Sequence, residues 1–285
     1  MSTPMSPSFQ TLIGASDLQQ LQAEGSPLLL IDVGFDLANP DAGEAAYSQA
    51  HIPSAHYLHL DRDLSAAKTG TNGRHPLPSR EAFAATMAAL GLAPETQVVA
   101  YDAQGGMYAA RLWWMLHWVG QGKAAVLDGG RQAWPGQLTN DVTARPAPSH
   151  FQAGPSLVAS VTADELQRQL GRVRLIDARA PERFRGEVEP LDKQAGHIPG
   201  ASNRLFKSNL AADGVFFKTA EQLRSEFEAL LAPLAGSKVI HQCGSGVTAC
   251  HNLLAMEHAG LGGSLLYPGS WSEWSADPTR PVAKG

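Results

Sequence analysis

The sequence predicts an α/β protein made of two tandem copies of one domain, each a parallel sheet with helices on both faces. Three observations carry this expectation. In each half, short apolar runs of strand length alternate with helical patterns, the signature of parallel strands joined by helical crossovers. The same motifs then occur twice in the same order, spaced by 145 residues from Asp32 to Asp177, 146 from His51 to His197 and 141 from Val98 to Val239. A Pro-rich polar stretch, Ala144-Arg145-Pro146-Ala147-Pro148-Ser149-His150, separates the copies. The expected division is a first domain over 8–143, a linker over 144–156 and a second domain over 157–280.

The elements follow in order. A helical pattern from Ser16 to Gln22 precedes the apolar strand Leu28-Leu29-Leu30-Ile31-Asp32-Val33. Thr162 to Leu170 and Arg174-Leu175-Ile176-Asp177-Ala178-Arg179 repeat that pair. A polar excursion, expected to be irregular, leads to His51-Ile52-Pro53-Ser54-Ala55 in one copy and His197-Ile198-Pro199-Gly200-Ala201 in the other. Ser79 and Thr219 stand at N-cap positions, each opening an amphipathic helix. Val98-Val99-Ala100-Tyr101-Asp102 then corresponds to Val239-Ile240-His241-Gln242-Cys243, and the Gly129-Gly130 turn near Trp134 corresponds to Gly269-Ser270 near Trp274. His51 and His197 are expected to stabilise the fold, Asp32 and Asp177 to pair locally at strand ends, and Trp113, Trp114, Trp271 and Trp274 to fill the core.

Composition narrows the function classes. The chain has 285 residues, 44% apolar and 17% charged, with a formal net charge of −5. It has no block of like charge, so nucleic acid and anionic membranes are not expected partners. Its apolar stretches are too short to span a bilayer. The Ser/Pro-rich start, Met1 to Gln10, does not read as a signal peptide. The two cysteines, Cys243 and Cys250, form no disulfide framework, which suits a reducing cytoplasm. Cys250 is expected in the core.

The stretch that carries chemistry is Cys243-Gly244-Ser245-Gly246-Val247-Thr248-Ala249. A cysteine at the C-terminal tip of a buried strand meets a Gly-x-Gly turn and then a helix start. Such a loop aims several backbone N–H groups at one point and adds the positive end of a helix, which favours a thiolate or small anion. The first copy has Asp102-Ala103-Gln104-Gly105 here instead. A carboxylate cannot carry sulfur, so the first copy is expected to be catalytically silent and to wall one side of the cleft. No metal is expected, because His241 and Cys243 have no second ligand pair beside them. No Gly-rich dinucleotide fingerprint follows a strand, so no cofactor is expected beyond a transient cysteine persulfide.

This loop, the HIPSA and HIPGA segments, the silent first copy and the Gly269-Ser270-Trp271-Ser272-Glu273-Trp274 ending resemble the two-domain rhodaneses over roughly residues 8–278, and within them the 3-mercaptopyruvate sulfurtransferases. The resemblance implies a sulfurtransferase that moves sulfur from 3-mercaptopyruvate through a Cys243 persulfide to cyanide or a thiol, thioredoxin among the candidate acceptors, and releases pyruvate. It implies that Gly244, Gly246, Val247 and Thr248 present backbone donors to the substrate sulfur. Ser245 would relay a proton, or be only a turn-forming hydroxyl. Arg183 matches the family's substrate-binding arginine. Asp61 and His75 align with residues completing the cleft, Asp61 near the Ser245 relay and His75 near substrate; both could instead be ordinary surface polar residues. The sequence departs from the family at Glu189-Pro190-Leu191, where 3-mercaptopyruvate enzymes commonly place a second arginine.

Loop composition bears on the donor. Thiosulfate-preferring relatives carry basic residues in the loop, whereas Gly244 and Ser245 place no cation there, which suits a donor whose carboxylate is held farther off. Thiosulfate:cyanide sulfurtransferase is the alternative activity. A non-enzymatic persulfide relay or redox sensor is a further one. Phosphoester hydrolysis by a Cys-x5-Arg loop is disfavoured, because the sixth residue after Cys243 is Ala249.

Overall fold

The computed structural model describes residues 8–232 and 238–285. The reading of the extreme N-terminus as free of a leader falls in large part on residues 1–7, outside the described residues. The chain divides into two compact units, one formed by residues up to Asp63 together with Ser79–Leu157, the other by Leu64–Pro78 together with Val158–Gly285.

The first unit runs β1 (Leu12–Ile13), α1 (Ala15–Ala23), β2 (Leu28–Asp32), α2 (Ala42–Gln49), β3 (His56–Tyr57), α3 (Arg80–Ala89), β4 (Gln97–Tyr101), α4 (Ala109–Trp118) and β5 (Ala124–Leu127). The second runs β6 (Ala159–Ser160), α5 (Ala163–Gln169), β7 (Arg174–Asp177), α6 (Pro181–Phe184), β8 (Ala201–Asn203), α7 (Ala220–Leu231), β9 (Val239–Gln242), α8 (Ala249–His258), β10 (Leu265–Leu266) and α9 (Ser270–Trp274). Both sheets are parallel, with orders β1-β5-β4-β2-β3 and β6-β10-β9-β7-β8. Replacing each strand of the first order by its repeat partner gives the second, so the duplication seen in the sequence is a duplication of topology.

β4 and β9 are the middle strands. Every residue of β4 is buried, the polar Gln97 included, as a strand covered on both faces should be. Side chains of α4 seal one side, with Trp113 and Trp114 at most 1% exposed. In the second unit Trp271 and Trp274 sit fully buried beside Ile240, Leu166 and Leu175. Helix starts follow local chemistry: Ser79 Oγ accepts from Ala82 N at 3.1 Å, and Thr162 and Thr219 each close a reciprocal capping box, with Glu165 and Gln222.

The two histidines stabilise the fold in the same way. His51 Nδ1 lies 2.8 Å from Tyr47 O and its ring stacks on Tyr47 at 4.0 Å; His197 Nδ1 lies 2.9 Å from Phe184 O and stacks on Phe184 at 3.9 Å. The excursion after Asp32 differs from its irregular reading, since it contains α2. That helix has good helix formers, Ala-Gly-Glu-Ala-Ala-Tyr-Ser-Gln, but buries none of its residues, so it leaves no apolar periodicity to read.

Asp32 and Asp177 do pair locally. Asp32 Oδ1 accepts from Gly34 N at 2.8 Å, and Asp177 accepts from Arg179 N at 2.9 Å and from its Nη2 at 2.7 Å. Asp32 has no guanidinium bonded to it in that way. Burial pushes its pKa up to about 6, against the opposing hydrogen bonds from Gly34 N–H and the Tyr101 hydroxyl. A carboxyl that holds its proton more tightly folded than unfolded stabilises the fold below its unfolded pKa and loses that contribution as pH rises from about 4 to about 6. The whole loss is up to about 3 kcal/mol. Asp32→Asn, which keeps an acceptor for Gly34 but cannot ionise, should therefore gain on the wild type by up to about that amount between pH 4 and pH 7. Urea unfolding at the two pH values measures the difference, and an equal effect at both would contradict it.

Candidate active site

The first copy fills the corresponding nest of amides with a side chain of its own. Asp102, just past β4, is 1% exposed. Its Oδ1 accepts from Gln104 N and Gly106 N, both at 2.8 Å, and its Oδ2 from Tyr108 N at 2.9 Å and Ala109 N at 3.0 Å. Four amides thus converge on one carboxylate at the start of α4. Each is a charge-assisted bond, about twice as strong as its neutral counterpart.

Cys243 takes that place in the second unit, after β9 and before α8. It is a free thiol, 1% exposed. The amides corresponding to those that bind Asp102 belong to Ser245, Val247, Ala249 and Cys250. Cys250 N donates to Val247 O at 3.1 Å, while those of Ser245, Val247 and Ala249 have no acceptor among the described residues. Gly246 makes the turn at φ 76°, where a β-carbon would collide with Pro268 O. Cys250 is buried in α8, its Sγ donating to Gly246 O at 3.4 Å.

The backbone of Cys243 is clamped from the far side. Its N–H donates to Ser270 Oγ at 3.1 Å, and its carbonyl accepts from Trp271 N at 3.0 Å. Ser270 donates its own proton to Tyr267 O at 2.9 Å. It does so at φ 54°, a left-handed conformation that costs a residue with a β-carbon about 1 kcal/mol or more. The first copy has Gly130 at this point, at φ 57°. The strain at Ser270 is thus spent on holding the reactive residue.

The segment Leu64–Pro78 brings in two further groups. His75 Nδ1 lies 2.7 Å from Ser245 Oγ, with His75 3% and Ser245 7% exposed. Arg74 N donates to Ser272 Oγ at 3.0 Å, and Arg74 Nη1 pairs with Asp192 Oδ1. Arg183, on α6, donates through Nη2 to Glu189 Oε1 at 2.6 Å and to Asp192 Oδ2 at 3.2 Å. Glu189 Oε1 also accepts from Leu191 N at 3.1 Å and Asp192 N at 3.2 Å, which shapes the Glu-Pro-Leu turn. Burial pushes the Asp192 carboxyl up, and Arg74 opposes that shift.

Other polar residues have partners of their own. Asp61 belongs to the first unit, where its N–H donates to His59 Nδ1 at 3.1 Å. Arg179 is structural, held by Asp177 and Glu189 with its guanidinium 4.8 Å from the Trp271 ring centre; Arg185 makes an exposed pair with Glu187. Burial pushes the His241 pKa down to about 3, which keeps its ring neutral at neutral pH, and its Nε2 lies 3.1 Å from Met256 Sδ. Among the described residues no group of three or more His, Cys, Asp or Glu could hold a metal ion. No described helix is long and apolar enough to cross a membrane. Sequence reasoning missed Arg74, Asp192 and the hydroxyl of Ser270; only the last left a signal, as the exception to a Gly at its repeat partner.

A parallel α/β unit that sets a lone cysteine in a nest of amides, beside a hydroxyl–imidazole pair and a guanidinium, defines a cysteine-dependent transferase of small anionic groups. The chain belongs to the rhodanese family: the Rhodanese-like domain matches it twice, over residues 14–137 and 162–277. It is 48% identical to a probable 3-mercaptopyruvate sulfurtransferase of Pseudomonas aeruginosa, over 94% of this chain and 96% of that one. It is 40% identical to a putative thiosulfate sulfurtransferase of Mycobacterium tuberculosis, over 97% and 98%. The solved 3-mercaptopyruvate sulfurtransferase of Leishmania major superposes with a TM-score of 0.81 at 31% identity, over 93% of this chain and 74% of that one. The protein is a sulfurtransferase with two rhodanese-like domains.

Ser270→Ala removes the acceptor of a buried amide at fixed backbone strain. It should cost about 1–3 kcal/mol, read by urea unfolding, and lower turnover by misplacing Cys243. Ser270→Gly should recover part of the stability, by relieving the strain, and none of the turnover. A Gly variant as active as wild type would show that the hydroxyl holds nothing of consequence.

Proposed function

We propose that the enzyme takes sulfur from 3-mercaptopyruvate, carries it as a persulfide on Cys243 and passes it to cyanide or a thiol. The Cys243 thiolate attacks the donor's thiol sulfur, forming an S–S bond as the C–S bond breaks. The C–S electron pair remains with the three-carbon fragment as the enolate of pyruvate. A proton delivered to its methylene carbon completes pyruvate. Ser245, hydrogen-bonded to His75 at 2.7 Å, is the group placed to deliver it, with His75 restoring the hydroxyl proton. The amides of Gly244, Gly246, Val247 and Thr248, with those of Ser245 and Ala249, stabilise the anionic sulfur as an oxyanion hole stabilises oxygen. An acceptor then attacks the outer sulfur and regenerates the thiolate, so no cofactor is needed beyond the persulfide.

The observation that carries this reading is where the positive charge lies. No cation occurs within the loop from Gly244 to Ala249, yet the Arg183 guanidinium stands at its rim, with Nη1 3.5 Å from the point a Gly244 β-carbon would occupy. A donor with three carbon atoms between the reacting sulfur and its charged oxygens, as in 3-mercaptopyruvate, fits that arrangement. The burial of Cys243 favours small donors and acceptors; thioredoxin, the larger acceptor, would have to reach the outer sulfur of the persulfide. Two free cysteines suit a reducing, cytoplasmic setting. Thiosulfate is the second reading, supported by the 40% identical relative named for that donor.

Steady-state kinetics with both donors separate the two. The wild type should favour 3-mercaptopyruvate in kcat/KM. Cys243→Ser should show no turnover with either donor, and Arg183→Gly should raise the KM for 3-mercaptopyruvate about 10- to 100-fold, the loss of one or two charge-assisted hydrogen bonds. A tenfold preference for thiosulfate would reverse the donor assignment, and residual sulfur transfer by Cys243→Ser would remove the persulfide.

A further inference from the structure

We propose that Arg74 is the second arm of the donor-binding fork, so that the carboxylate of 3-mercaptopyruvate is held between Arg74 and Arg183 above Gly244. This rests on the donor reading above and assigns to a different stretch of chain the guanidinium that Leu191 does not supply.

The geometry is local to the second unit. A β-carbon placed on Gly244 would fall 2.8 Å from Arg74 Nη2, 3.5 Å from Arg183 Nη1 and 3.8 Å from Arg183 Nη2. Two guanidiniums, drawn from points more than a hundred residues apart in sequence, therefore meet over the first residue of the loop. One carboxylate joins them, since Asp192 gives Oδ1 to Arg74 and Oδ2 to Arg183. The nitrogens so engaged are Arg74 Nη1 and Arg183 Nη2. The nitrogens nearest Gly244 are the others, Arg74 Nη2 and Arg183 Nη1, and neither has an acceptor among the described residues. Arg74 Nε and Arg183 Nε are likewise buried without one.

Asp192 and Glu189 thus fix the two guanidiniums from behind while the forward N–H groups remain for an anion. Pre-set guanidinium planes lose less entropy on gripping a carboxylate than free side chains do. Within this ion-pair cluster the formal charges balance, Arg74, Arg179 and Arg183 against Asp177, Glu189 and Asp192. Leu191, which occupies the place of the family's second arginine, is 47% exposed. Arg74 itself is fixed by the docking that delivers His75. Its N–H is bonded to Ser272 Oγ, and Gly73 packs beside Gly269 in a left-handed conformation at φ 86°. Binding and proton relay therefore arrive on adjacent residues of one strap.

The test uses the full chain and two donors that share the reacting thiol and ketone: 3-mercaptopyruvate, and mercaptoacetone, which lacks the carboxylate. Arg74→Met should raise the KM for 3-mercaptopyruvate at least tenfold with kcat changed less than about threefold, and should leave kcat/KM for mercaptoacetone within about twofold of wild type. Arg74→Lys, which keeps the charge without the fork, should fall between. If Arg74→Met slows both donors alike, or neither, Arg74 grips no carboxylate and the inference fails. Should Arg74→Met fold poorly, the same comparison on Arg74→Lys decides, because a merely structural arginine would not distinguish the two donors. Failure of the wild type to use 3-mercaptopyruvate at all would instead overturn the donor reading, so the two failures are told apart.

Discussion

The structure turns on a ring of backbone amides at the tip of the middle strand, which must have something electron-rich at its centre. Parallel strands that feed helices leave N–H groups converging at the strand's carboxyl end, and the helix dipole reinforces them. One copy of the domain answers with a carboxylate: Asp102 takes four amides and closes the site for good. The other copy places a sulfur at the same point. Identical backbone physics yields a structural plug in the first case and a carrier in the second.

Around that sulfur every contact serves position. Ser270 accepts a left-handed backbone so that its hydroxyl can meet the Cys243 amide, while Trp271 N and Ser272 N bind the carbonyls of Cys243 and Gly244. The start of α9 therefore anchors both ends of the Cys243–Gly244 peptide. The same Ser272 uses its hydroxyl to hold Arg74, so the loop and the strap carrying Arg74 and His75 share one anchor. Charge is arranged at the rim in pairs, with Asp192 and Glu189 orienting guanidiniums that would otherwise sample several rotamers.

Much of this was legible in the sequence, for physical reasons. Topology was readable because a duplicated motif order at a near-constant spacing leaves few ways to pair the strands, and both sheets follow the same order. The loop was readable because Cys243 and Gly246 are each nearly irreplaceable, one for its chemistry and one for its φ. What escaped lacks periodicity or proximity. The helix α2 buries no side chain, and β1, β3, β6 and β10 are two residues long, too short for alternation to show. Arg74 lies in the polar run Asn72-Gly73-Arg74-His75, 118 residues from Asp192 and 198 from Ser272, and its neighbour His75 is 170 residues from Ser245. Only the fold brings these groups together. The Glu-Pro-Leu departure announced that a cation was missing from its usual place and pointed to no other.

The comparison of the two copies also explains why the difference between them cannot be one residue deep. Both contain the ring that stacks on the HIPSA or HIPGA histidine, Tyr47 in one and Phe184 in the other. The residue before that ring is Ala46 in the first copy and Arg183 in the second, and the loop position of Ser245 is Gln104 in the first. The first copy thus has the amide nest without the guanidinium or the hydroxyl. A sulfur placed there would gain the dipoles that favour its anion, but it would lack the counterparts of Arg183 and Ser245. Stabilising the nucleophile is a property of the fold, which both copies share. The guanidinium of Arg183 and the Ser245–His75 pair belong to side chains on α6, on the loop and on the strap, and among the described residues they come together in the second unit.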